Sequence, residues 1–178
     1  QTVVVLRDLA DPSMDVPAGE KGELCVKGPQ VMKGYWKNSE ATRSTFTGEY
    51  LRTGDVAVMD DEGFFYIVDR IKDLIICSGF NVYPRRIEEA LFDHPDVEEA
   101  TVIGIKDDYR GEAPKAFVKL RNGSRLTEEE LMDHLREKLS KIELPAEIEF
   151  RDALPKTMIG KLSKKELKQE EEARRSRA

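Results

Sequence analysis

The 178 residues carry 29 lysines and arginines against 35 aspartates and glutamates, a formal net charge of -6, with 39% hydrophobic and 36% charged residues. That length supports one domain with a sizeable core or two small ones, and the acidic balance removes the broad basic footprint on which nucleic-acid binding rests. No apolar run approaches the ~20 residues of a membrane-spanning helix, and no charged-then-apolar leader opens the chain, so a soluble, cytoplasmic protein with no nucleic-acid partner and no transmembrane segment is expected.

The chain opens on Gln1 and runs at once into TVVVL, a strand-like start that suggests a piece cut from something longer. Through residue 70 the apolar runs are short. VVVL, ELCVK, YLRTGDVAVM and FFYIVD are predicted strands, PAGEKG and DDEG supply turns, and DDEG between VAVM and FFYIV is a hairpin signal. Cys25 and Cys77 sit inside strand-like runs with no C-x-x-C and no histidine nearby, which reads as two buried small hydrophobes.

From Ile71 the texture changes to alternating strands and helices, so two pieces are expected, 1–70 and 71–178. LIICSGFNVY reads as two strands bent about Ser78 and Gly79. Pro84 suits the first turn of a helix, PRRIEEALFDH, because its missing N–H would have no partner there. ATVIGI and KAFVKL are strands of a small sheet. Thr127 and Glu130 then make a capping box, with Leu126 and Leu131 as hydrophobic staple. Leu131, Leu135, Leu139 and Ile142 fall on one helical face. EIEF is a last short strand, and LSKKEL repeats the capping device, with Ser163 as cap, Glu166 closing the box and Leu162 stapled to Leu167. Basic residues gather in KKELK and ARRSR, but they alternate with EEE, the pattern of a solvated helix end. His94 and His134 have no ligand-spaced partners, so neither a metal site nor a Ser-His-Asp arrangement is expected.

The stretch PKTMIGK, residues 155–161, places a lysine behind a glycine just ahead of that last helix. A Walker loop needs G-x-x-x-x-G-K-[ST], and Pro155 and Leu162 stand at its first glycine and hydroxyl positions. Lys161 on a short flexible loop is still a compact charge that can meet a phosphate or carboxylate as negative charge develops. An ordinary surface lysine is the alternative.

Taken together, GELCVKGPQVMKGYW, YLRTGDVAVMDDEGFFYIVDRIKDLIICSGFNVYPRRIEE and LPKTMIGKLSKKEL resemble the closing third of the acyl-adenylate-forming enzymes, the AMP-binding superfamily of acyl- and aryl-CoA synthetases, luciferases and peptide-synthetase adenylation domains. The resemblance implies an α+β fold: a strand-rich subdomain left from a distorted β-barrel, then a small α+β lid domain with a short antiparallel sheet flanked by helices. It implies that Asp55 binds the ribose, that Arg70 contacts ribose and phosphate, that Lys72 is the hinge of the lid, and that Lys161 serves adenylation. On the CoA side it implies Ser78, Gly79 and Phe80, with Asn81 toward the adenylate. Ile76 and Ser78 stand where luciferases and coumarate-type ligases carry lysines, and SGFNVYPRRIEE looks more like a fatty-acyl-CoA synthetase.

The resemblance therefore implies a C-terminal piece of an ATP-dependent fatty-acid–CoA ligase, using ATP and CoA and acting on a fatty acid or other carboxylate. Its Mg²⁺ ligands and acyl pocket would lie on a missing N-terminal portion, and the piece alone would be inactive. A ligase that loads a carrier-protein thiol and a non-catalytic binding module are the alternatives. Peripheral membrane contact and self-association of the fragment are further expectations.

Overall fold

The structure, a computed structural model, describes residues 1–176. Arg177, the last basic residue of the ARRSR run, lies outside the described residues. The chain divides into two compact units, Gln1–Lys72 and Asp73–Ala178.

Unit 1 is a five-stranded antiparallel sheet of β1 (Val3–Arg7), β2 (Lys21–Lys27), β3 (Phe46–Thr47), β4 (Tyr50–Met59) and β5 (Phe65–Arg70). The order is β1-β2-β4-β3, and β5 pairs with the second half of β4. The expected DDEG hairpin joins β4 to β5. There the Asp60 carboxylate accepts from the Phe64 and Glu62 amides and the Tyr66 hydroxyl, and the Phe64 amide bond chiefly holds its pKa below the usual value. Strands alone do not account for this unit. Ser39–Thr45 forms a helix, α1, capped by Asn38, whose side chain accepts from the Ala41 amide. It buries no residue, so the apolar periodicity by which helices are read is missing from its sequence.

Unit 2 is built on β6 (Ile75–Cys77), β7 (Phe80–Val82), β8 (Val97–Asp107), β9 (Gly111–Leu120) and β10 (Glu147–Phe150), with helices α2 (Pro84–Phe92), α3 (Glu128–Arg136) and α4 (Lys164–Arg175). The fold is α+β, as expected. One pairing departs from a purely antiparallel sheet: β10 runs parallel to β9, because the chain reaches it through α3 rather than through a hairpin.

Alternation along β8 and β9 assigns the two faces of this sheet. Ala100, Val102, Ala116 and Val118 join Ile87, Leu91, Leu131 and Leu135 in one core, under α2 and α3. Ile103, Ile105 and Phe117 join Leu154 and Leu167 in a second, under α4. With both faces covered, these strands read as nearly continuous apolar runs. Cys77 is buried in the first core, and Cys25 is fully buried in unit 1; burial pushes the Cys25 thiol up to about 11.

The helix starts separate one correct expectation from one that fails. At α3 the capping box forms in full between Thr127 and Glu130. The helix stops at Arg136, so Leu139 and Ile142 join the core from the turns beyond it. At α4 no box forms. Ser163 is the N-cap residue but its side chain caps nothing, and the amide that Glu166 would take is given to the Pro155 carbonyl at 2.8 Å. Leu162 does pack in the core that holds Leu167.

On the α4 face, Lys115 is 1% exposed. Its Nζ lies 2.7 Å from Glu171, 2.9 Å from Glu149 and 3.1 Å from Glu147, tying β9 to β10 and α4. Burial pulls the lysine pKa down, but these hydrogen bonds outweigh it and the net direction is up.

Candidate functional site

Two of the residues singled out by sequence meet directly. Asp55 and Arg70 are cross-strand partners of β4 and β5, and Arg70 Nε lies 2.9 Å from Asp55 Oδ1. The arginine is the more exposed of the two, with 56% of its side chain in solvent against 22% for Asp55. A carboxylate and a guanidinium thus stand side by side at the surface of unit 1. The carboxylate can accept from hydroxyls, and the guanidinium can donate to phosphate.

What positions Asp55 is a bulge. Between the pairs Cys25–Arg52 and Glu23–Val56, β2 contributes Leu24 alone while β4 contributes Thr53, Gly54 and Asp55. Bulges of this kind redirect a side chain and increase the local twist. Gly54 takes φ +74, a conformation that a side chain would strain. Glu23, 2% exposed, holds the bulge. Its carboxylate takes two bonds of 2.8 Å from Arg52 and one of 3.1 Å from the Gly54 amide. The Thr53 hydroxyl donates to the Leu24 carbonyl and accepts from the Asp55 amide. Sequence reasoning missed Glu23 and Arg52. The signal was available, because Glu23 shares its strand parity with buried Cys25.

Lys72 lies in a short 3₁₀ turn, Ile71–Asp73, at the end of unit 1.

In unit 2, Ser78 and Gly79 form the two-residue turn between β6 and β7, at φ +51 and +82. Two consecutive positive φ values make the tight hairpin turn that matches strand twist. The turn is tied down by the Ser78 amide, which donates to the Arg110 carbonyl at 2.7 Å, and by the Ile76 amide on Glu112 at 2.8 Å. Ser78, Gly79, Phe80 and Asn81 are all exposed, Phe80 at 61%.

Lys161 stands in a separate loop of unit 2. The sequence suggested a flexible loop, but its backbone is closed on itself. Lys156 and Leu162 bridge across its base. The Thr157 amide donates to the Lys161 carbonyl and the Gly160 amide to the Thr157 carbonyl, while the Thr157 hydroxyl accepts from the Lys161 amide. Lys156 is held by Glu99 at 2.6 Å. Lys161 is exposed and pairs with no carboxylate among the described residues, so its ammonium is available to a ligand. Beside it, Met158 and Ile159 project into solvent.

Among the described residues no group of three or more His, Cys, Asp or Glu could hold a metal ion, and no helix is long and apolar enough to cross a membrane.

Residues 86–161 match the AMP-binding enzyme C-terminal domain family. The chain is 50% identical over 152 residues to a long-chain-fatty-acid–CoA ligase of Bacillus subtilis, an alignment that covers 85% of this chain and 27% of that protein. Among solved structures it resembles the o-succinylbenzoate CoA synthetase of Bacillus subtilis in complex with its acyl-adenylate intermediate, with a TM-score of 0.83 at 36% identity over 94% of this chain and 34% of that one. It also resembles the amide bond synthetase McbA of Marinactinospora thermotolerans, with a TM-score of 0.85 at 37% identity and the same coverage. The chain spans about a third or less of the length of each of these proteins.

Proposed function

Because residues 86–161 belong to the AMP-binding enzyme C-terminal domain family, we propose that the chain is the C-terminal part of an ATP-dependent fatty-acid–CoA ligase. In the first half-reaction a fatty-acid carboxylate attacks the α-phosphate of ATP, giving acyl-AMP and pyrophosphate. In the second the CoA thiol attacks the acyl carbonyl, giving acyl-CoA and AMP. The observation that carries this reading is the Asp55–Arg70 pair on its Glu23-anchored bulge. It offers an acceptor for two ribose hydroxyls beside a donor for the phosphate.

Lys161 supplies the charge for the first step. Its ammonium bridges the α-phosphate and the attacking carboxylate as negative charge concentrates between them. For the second step the hinge at Lys72 turns unit 2, withdrawing Lys161 and presenting the Ser78–Gly79 turn, with Phe80 beside it, to the CoA thiol; Asn81 faces the adenylate. Such reorientation is a common way to run two steps in one site, and the two compact units do meet in sequence at Lys72 and Asp73. The acyl pocket and the Mg²⁺ ligands fall to an N-terminal portion of the kind the relatives carry, and the enzyme works in the cytoplasm. The likeness to an amide bond synthetase favours one variation, transfer of the acyl group to an amine in place of the CoA thiol.

The test is a chimera in which this chain replaces the matching part of the Bacillus subtilis ligase. It should form palmitoyl-CoA from palmitate, ATP and CoA, while this chain alone should show no palmitate-dependent ATP–pyrophosphate exchange. A well-folded chimera that makes palmitoyl-AMP but transfers it only to another acceptor would select the variation. One that makes no adenylate would refute the ligase reading.

A further inference from the structure

Strand β6 is three residues long, and one of its backbone bonds goes to a side chain. On one side it pairs with β7 through Ile75–Val82, Ile76–Asn81 and Cys77–Phe80. On the other it joins β9 through the pair Cys77–Gly111. The Ile76 amide donates not to a carbonyl of β9 but to the Glu112 carboxylate, at 2.8 Å. A strand amide needs an acceptor, and Glu112 supplies one where the ladder stops.

Glu112 is seated for this contact. Its cross-strand neighbour on β8 is Lys106, yet among the described residues the two form no ion pair, and the carboxylate turns to the backbone instead. Gly104 leaves it room, because a Cβ there would lie 3.2 Å from the Ile75 side chain and 3.6 Å from the Glu112 carboxyl carbon. The loop that joins β8 to β9 is stiffened by Asp107, whose carboxylate accepts from the Tyr109 and Arg110 amides at 3.0 and 2.7 Å. The Arg110 carbonyl in turn accepts from the Ser78 amide at 2.7 Å. Arg110 and Glu112 thus grip Ser78 and Ile76, at and just before the turn of the β6–β7 hairpin. Ser78 holds φ +51, a conformation that costs a residue with a side chain and persists only where its surroundings enforce it.

We propose that Glu112 is a positioning residue for thioester formation: through the Ile76 amide it fixes the Ser78–Gly79 turn in the shape that meets the CoA thiol. Glu112 itself touches no substrate. A preformed turn spares the ordering that a loose one would have to undergo at the moment of transfer. The inference rests on the ligase reading above and assigns Glu112 to one of its two steps. A residue that merely supported the sheet would affect both steps alike, because Lys161 is carried by the same unit.

The experiment measures both half-reactions in the chimera carrying Glu112→Ala or Glu112→Gln, with palmitoyl-AMP supplied directly for the second. Glu112→Ala should lower kcat/KM for CoA roughly tenfold or more, as on losing one hydrogen bond to a charged group, and leave ATP–pyrophosphate exchange unchanged. Glu112→Gln, whose side-chain oxygen still accepts, should restore most of the loss. Amide hydrogen exchange on the full chain gives a readout without catalysis. In Glu112→Ala the Ile76 and Ser78 amides should exchange faster, while those of the core residues Val118 and Leu135 keep their protection.

Equal losses in both half-reactions, an unchanged thioester step, or unchanged exchange at Ile76 would overturn the proposal. So would Glu112→Gln as damaged as Glu112→Ala, since the charge and not the acceptor would then matter. If the unmodified chimera makes no palmitoyl-CoA, the ligase reading falls and this inference falls with it. If the chimera is active and Glu112→Ala does not separate the steps, this inference alone falls.

Discussion

Glu23 is the residue on which the Asp55 geometry depends, and its energetics are asymmetric with those of its partner. Glu23 is buried, whereas about a third of the Arg52 side chain, 32%, reaches solvent. Removing Glu23 leaves a guanidinium that can turn to water, while removing Arg52 leaves a buried carboxylate with only the Gly54 amide to satisfy it. Breaking a buried pair costs about 3–5 kcal/mol, so Glu23→Ala belongs near the lower end and Arg52→Ala near the upper. Denaturant unfolding of both variants measures the order. Equal costs, or the reverse order, would mean that the bulge is held by something else. In the chimera, Glu23→Ala should raise KM for ATP more than it lowers the rate at saturating ATP, because it displaces a binding group.

At the scale of elements, the legible parts were those whose chemistry is local. The DDEG and Ser78-Gly79 turns, the Thr127 capping box and the strands β8 and β9 each follow from a few adjacent residues. The parts that failed depend on competition or on distance. Ser163 has the sequence of a capping box, but Pro155 takes the amide that Glu166 would need. Helix α1 buries nothing and left no periodic trace. Asp55, Arg70 and Lys161 were singled out through resemblance, whereas the bulge that sets Asp55 was not, because it lies between the Glu23–Val56 and Cys25–Arg52 pairs and arises only once β2 and β4 have paired.

The Lys115 cluster makes a further element-scale prediction. Lys115→Met should destabilise unit 2 by about 3 kcal/mol, since it strands Glu171 in the interior with, among the described residues, Arg174 as its remaining cation. Adding Glu171→Gln should restore part of the loss. The pH dependence follows from the directions of the shifts. For Glu149, burial raises the pKa, but hydrogen bonds from Lys115 and Arg151 outweigh it and hold it below the usual 4.5. Its contribution is therefore complete above 4.5 and is lost as pH falls through the lowered value. Lys115 is raised above 10.5, so its contribution is complete below that value and is lost as pH rises through the raised one. The melting temperature should stay level between these limits and fall on both sides. The Lys115→Met variant should lose the alkaline fall, and an unchanged alkaline limb would exclude the cluster as its origin.

For the whole molecule, the proposed division of labour is that unit 1 holds the nucleotide while unit 2 brings different residues to successive steps. Lys161 is the sharpest probe of that claim, because it is exposed, unpaired among the described residues and, in the proposed mechanism, needed in one step alone. The decisive measurement is both half-reactions on Lys161→Ala in the chimera, with palmitoyl-AMP supplied directly for the second. Pyrophosphate exchange should fall roughly 10²–10³-fold, as on losing one preorganised charge from a transition state, while thioester formation stays within a few-fold of the unmodified chimera. Lys72→Pro, which fixes the hinge torsion, should largely spare exchange and cripple thioester formation. Equal losses in both steps for Lys161→Ala would contradict the account, because the lysine would then act in both orientations or support the fold instead.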